Sequence, residues 1–152
     1  MKLEPLMTMK ASLRQPADVV GDVPLGQRSI AEVTGGSFEG ERLKGSIVTP
    51  GADWIVVGAD GIGHVDVRIS LKTDDDALIY MQYLGKLVFN DALLNAFATG
   101  QGTEFGDTYF MTQPRFETGH ADYAWLNAVV AVAEGHVIPG GVEYQVYECR
   151  HG

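Results

Sequence analysis

The sequence predicts an all-β domain, closed into a barrel or stacked as a sandwich, and three observations carry that expectation. Apolar and polar residues alternate with a period of two, most cleanly in HVDVRISLK, where Val65, Val67, Ile69 and Leu71 share one face and His64, Asp66, Arg68, Ser70 and Lys72 the other. Such segments recur at short intervals, each bounded by Gly, Pro, Asn or Asp. Helical periodicity is almost absent.

Taken in order, strands are expected near 3–14, 28–34, 42–49, 53–58, 64–73, 77–85, 108–117, 126–134 and 141–149. The turn chemistry between them is dense in VTGGSFEGERLKGSIVTPGADW, residues 33–54. There, Gly35, Gly36 and Gly40 fit a hairpin that needs positive φ or a bulge, and Pro50-Gly51 is a favoured type II turn pair. GADGIG and KTDDDA read as the next two hairpin tips, acid-rich because such tips are wet. No helix pattern follows the glycines, so they do not read as a phosphate-cradling loop. One segment breaks the rhythm: FNDALLNAFATG, residues 89–100, has Asn90 or Asp91 as a cap, helical spacing of Leu93, Leu94 and Phe97, and Gly100 as a stop. A single short helix is expected there.

The length of 152 residues suits one domain, residues 1–152, with one sizeable core. Apolar residues at 45% and charged residues at 20% give the profile of a globular protein. A formal net charge of −9, with no basic run, repels phosphate backbones and anionic lipid, so neither nucleic acid nor membrane is an expected partner. The stretch MKLEPLMTMKASLRQP is broken by charges at Lys2, Glu4 and Lys10 and does not read as a secretory leader, and no apolar run is long enough to cross a bilayer. The simplest expected location is the cytoplasm. Cys149 is the only cysteine and allows no internal disulfide. The four histidines show no local metal-ligand spacing, and Ser37 lacks a nucleophile-elbow context, so neither a metal nor another cofactor is expected, nor a covalent mechanism.

GQRSIAEVTGGSFEGERLKGSIVTPGADW, TDDDALIYMQYLG and the Trp125-Leu126-Asn127 step together resemble the domain of unknown function family 3237 over nearly the whole chain. The resemblance implies a closed or nearly closed antiparallel β-barrel of about eight or nine strands, similar to allene oxide cyclases and dirigent proteins, whose interiors hold apolar or phenolic ligands. It also implies self-association into a homo-oligomer, and it implies no settled reaction. Where the resemblance implies Asp-Gly before the ALIY strand, this chain has Asp75-Asp76, an acid in place of the turn glycine, and Asp tolerates the left-handed conformation better than most residues.

Within such a barrel, several polar residues are candidates. Asp53, beside Trp54 at a strand mouth, is a carboxylate that partial desolvation would raise toward the range of proton transfer. Arg68, if inward, would hold a carboxylate, phenolate or enolate oxygen; otherwise it belongs to a solvated outer face with Asp66 and His64. Tyr80 and Tyr83 lie on opposite faces of one strand, so only one points inward, and Tyr80 is favoured. Asp53, Arg68 and Tyr80 are the catalytic candidates. Trp54, Tyr83, Arg115, Trp125 and Asn127 are candidates for substrate contact, Trp125 as a flat wall and Asn127 as donor and acceptor. The function expected is binding of a small, mostly apolar carbonyl-bearing or phenolic molecule, with cofactor-free acid/base isomerisation, cyclisation, or addition and elimination as its chemistry. A non-catalytic carrier and a structural subunit of an oligomer are the alternatives.

Overall fold

The computed structural model describes residues 1–152 and contains ten strands: β1 Lys2–Leu13, β2 Asp18–Val23, β3 Gly26–Glu39, β4 Lys44–Asp53, β5 Val56–Val57, β6 Ile62–Thr73, β7 Leu78–Val88, β8 Phe110–Glu117, β9 Ala131–Ile138 and β10 Gly141–Arg150. One α-helix, α1 Asp91–Thr99, joins β7 to β8, and a 3-10 helix, Ala121–Ala128, joins β8 to β9. All pairings are antiparallel, in the order β1-β10-β9-β8-β7-β6-β4-β3-β2. β1 also pairs β3, from Thr8↔Glu39 to Leu13↔Val33, which joins the two ends of the sheet. The result is a barrel, with β2 a flap on the edge of β3 and β5 bridging β3 and β6.

Closure follows from the alternation. One face of each strand must leave water, and a ring lets eight such faces share one core without leaving long edges. The inward set includes Met9, Val33, Phe38, Val65, Ile69, Leu71, Ile79, Met81 and Val146, each almost wholly buried. Gly36, at φ 144°, lies where the ring is stitched: a Cβ there would overlap the Lys10 carbonyl oxygen of β1 and come within 2.9 Å of Ile47 Cδ1.

Several turn assignments are corrected. β3 runs through Gly35 and Gly36, which act as a bulge, with a register shift between Glu32 and Ser37, and the reversal comes at Gly40, whose N–H donates to the Leu43 carbonyl at 2.8 Å. Pro50-Gly51 is no hairpin turn: β4 continues through it, because β3 and β6 pair on both sides and the excess residues bulge between Val48 and Ala52. The strand expected at 126–134 begins at Ala131, since the Asn127 side chain accepts from Thr118 N–H at 2.8 Å and donates to Thr118 C=O at 2.9 Å, holding the preceding segment wound. β2 was not expected, and the strand expected at 53–58 is only Val56–Val57. Asp76 adopts φ 71°, the left-handed position of the β6–β7 turn, so an aspartate does there what glycine ordinarily does.

The helix falls where its signals place it. Asn90 caps α1 by accepting from Leu93 N–H at 3.0 Å, and Gly100 ends it at φ 69°. Leu93 and Ala96 are buried, so α1 leans over one end of the barrel. No helix is long and apolar enough to cross a membrane.

Candidate functional site

The barrel is filled unevenly. Toward the end where β1 begins and β8 finishes, Ile79, Leu71, Phe116 and Leu126 close the interior. Toward the other end lies a cavity of about 680 Å³, bounded by the Arg14–Ala17 loop, the C-terminal half of α1 and inward residues of the strands. That volume is within the range of small-molecule sites, roughly 300–1,000 Å³.

One cross-strand row brings polar chemistry into it. Asp53 pairs with Val67 of β6, which pairs with Tyr83 of β7, and all three line the cavity. From the opposite wall Tyr144 of β10 meets Tyr83 edge to face, ring centres 5.3 Å apart, and Phe110 packs on Tyr144 in the same manner at 5.3 Å. Gly135 makes room for this group: a Cβ there would stand 2.9 Å from the Phe110 ring and 3.0 Å from Tyr144.

Burial decides the electrostatics. Desolvation raises the Asp53 carboxyl from 3.8 to about 6, the nearby charge of Asp66 adds to the rise, and the Asp66 N–H, donating to Oδ1 at 3.0 Å, partly offsets it. No other protein donor reaches this carboxylate. Desolvation also pushes the phenols of Tyr83 and Tyr144 above their ordinary range; their mutual hydrogen bond offsets part of the rise at Tyr83 and adds to it at Tyr144, and the Asp53 charge raises both further. Both tyrosines therefore remain hydroxyl donors wherever Asp53 titrates. An acceptor that changes protonation near neutrality beside a pair of protonated, mutually hydrogen-bonded phenols can remove a proton from a ligand, hold the oxygen that becomes negative through the outward hydroxyl, and return the proton elsewhere.

The sequence candidates divide between surroundings. Asp53 and Tyr83 converge on the cavity. Arg68 does not: it is exposed, because Val67 and Ile69 on either side are buried and successive strand residues face opposite ways. It lies in an outer row with Gln82 and Arg115, which is also exposed. Tyr80 is on that outer face as well, 38% exposed, so the favoured tyrosine is the wrong one of the pair and Tyr83 is the inward one. Trp54, next to Asp53, points outward for the same alternation and is 38% exposed. Trp125 and Asn127 belong to the closed end, where the Arg42 guanidinium lies 3.9 Å from the Trp125 ring centre and Asn127 clamps Thr118. Tyr144 and Phe110 were not singled out from the sequence. The available signal was the alternation in VEYQV, which puts Tyr144 in step with Val142 and Val146.

A larger groove, about 840 Å³, crosses the outer face past Trp54, Leu84, Met111 and Glu134. Its ionisable groups meet one another in the open, as where Lys86 Nζ stands 2.6 Å from His64 Nδ1. The lumen, with its desolvated carboxyl, is the better candidate.

Comparisons with known proteins agree with the barrel fold. The model of a family described as protein of unknown function (DUF3237) matches residues 1–149. A UPF0311 protein of Rhodopseudomonas palustris is 32% identical over 106 residues, 70% of this chain and 69% of that protein. A crystal structure of a beta-barrel like protein from Acinetobacter baumannii has 37% identity and a TM-score of 0.83, covering 98% of this chain and 96% of the other. A more distant structure, described as an enzyme from Penicillium herquei, has 21% identity and a TM-score of 0.68 over 98% of this chain and 94% of that one, a likeness of fold.

Proposed function

The chain belongs to the DUF3237 family, and on that premise we propose that its barrel takes a small, mostly apolar carbonyl-bearing or phenolic molecule into the lumen and converts it by acid/base isomerisation, cyclisation or elimination. The observation that carries the proposal is the placement of Asp53, with a carboxyl raised to about 6, against Tyr83 and Tyr144 inside one apolar cavity. In this reading Asp53 removes the proton and delivers it to the new position. The Tyr83 and Tyr144 hydroxyls hold the developing oxyanion, the role first considered for Arg68. The aromatic wall of Phe110, Phe89 and Phe97 orients the substrate. Each proton taken is returned, so the chemistry is redox-neutral.

A panel of enolisable ketones and phenols, followed by proton NMR in deuterated water, tests the proposal. The wild-type protein is expected to exchange or rearrange at least one compound that also binds, while Asp53→Asn binds it and leaves it unchanged. Binding without turnover by the wild-type protein would make the barrel a carrier.

Self-association is part of the same proposal. Leu78, Tyr80 and Leu84 form an exposed, partly apolar outer row on β7, and sedimentation velocity of the wild-type chain against Leu84→Glu checks whether a second copy covers it. A monomeric wild-type chain would remove this part.

A further inference from the structure

We infer that the lumen selects its ligand by the sign of its charge, admitting neutral or cationic hydrogen-bond donors and rejecting carboxylates and phosphates. The inference rests on the lumenal site proposed above and adds the ligand class.

The charged side chains that line the cavity are Asp53, inside, and Arg14, at the mouth. Arg14 is already engaged: its Nη2 donates to Asp18 at 2.7 Å and its Nε to Glu32 at 2.8 Å, so one cation is balanced by two acids. Asp22, also close to the mouth, accepts from Gln27, itself a lining residue. The entrance is thus acidic, on a chain whose net charge is already −9. Within, one oxygen of Asp53 receives the Asp66 N–H, and the other has no donor from the protein. The group that completes it must therefore donate. A hydroxyl, an enol or an ammonium does so. A carboxylate would be placed beside a like charge in apolar surroundings with no free cation to neutralise it, and the tyrosine hydroxyls are too few to replace its water.

Three probes on one skeleton separate these cases: naphthalenemethanol, naphthylmethylammonium and naphthoate, titrated calorimetrically at about pH 8, where an acid with the Asp53 pKa is ionised. The alcohol and the ammonium are expected to bind, with naphthoate weaker by about tenfold or more, the scale of a like-charge contact. In Asp53→Asn, which keeps an Oδ1 acceptor for the Asp66 N–H, that gap should close. In Asp18→Asn/Glu32→Gln, which frees Arg14, naphthoate should gain affinity while the ammonium loses it. Naphthoate binding as tightly as the alcohol to the wild-type protein, or a gap that survives in Asp53→Asn, would overturn the charge selection and leave the lumenal site standing. If none of the three probes binds, the lumenal site itself falls, and the selection with it.

Discussion

Burial holds the Asp53 carboxyl at about 6 against 3.8 for the free group, and that displacement has a thermodynamic consequence. Between these values the native protein binds a proton that the unfolded chain has released. Stability from this group is therefore greatest below about pH 4 and declines as the pH rises toward 6, for a loss of no more than about 3 kcal/mol at neutrality. Asp53→Asn removes the ionisation. It should be more stable than wild type at about pH 8 and equal to it at about pH 4, as read from urea unfolding midpoints. Equal effects at both pH values would show that desolvation is not the cause. Arg68 supplies the contrast at the same scale. Exposed on the outer face, it should tolerate Arg68→Ala within about 0.5 kcal/mol, with ligand binding unchanged. Asp53 was legible from sequence as an acid at a strand mouth, but the neighbour expected to desolvate it, Trp54, points outward, and the apolar lumen does so instead. Tyr83 could not be separated from Tyr80, because alternation gives two faces without saying which is inside.

At the scale of elements, the β1–β3 seam decides whether the sheet is a ring. Gly36→Ala would drive a Cβ into the Lys10 carbonyl at a φ of 144°, and a loss of about 2 kcal/mol or more is expected, read as a lowered unfolding midpoint. The 3-10 segment behaves differently. Asn127→Ala strips both partners from the Thr118 backbone and should cost about 1–3 kcal/mol. Because Asn127 stands at the closed end, ligand affinity should be unaffected, whereas a lumenal contact would lose affinity. The helix was legible from a cap, an apolar spacing and a glycine stop, all local signals. The bulges of β3 and β4 were not. A Pro-Gly pair or a double glycine encodes a bend, and whether that bend becomes a turn or a bulge depends on the strands pairing on either side.

For the whole molecule, function depends on a barrel packed at one end and open at the other. Val67→Trp would push an indole into the space between Asp53 and Tyr83. The barrel should still form, at a cost of about 1–3 kcal/mol, while probe binding is lost. Retained binding would place the ligand elsewhere, with the outer groove past Trp54 and Met111 the next site to test.

By itself the sequence determined the β class, the place of the helix and the alternation within HVDVRISLK, since these rest on spacing between neighbours along the chain. It also carried the family likeness in its glycine-rich block. Only the tertiary structure decided which face of each strand is the inside, and so which of Asp53, Arg68, Tyr80 and Tyr83 share a lumen. That choice belongs to ring closure: β1 meets β3 and Tyr144 meets Tyr83 across long separations in the chain, and the same pattern of alternation would serve either face as the inside until those contacts form.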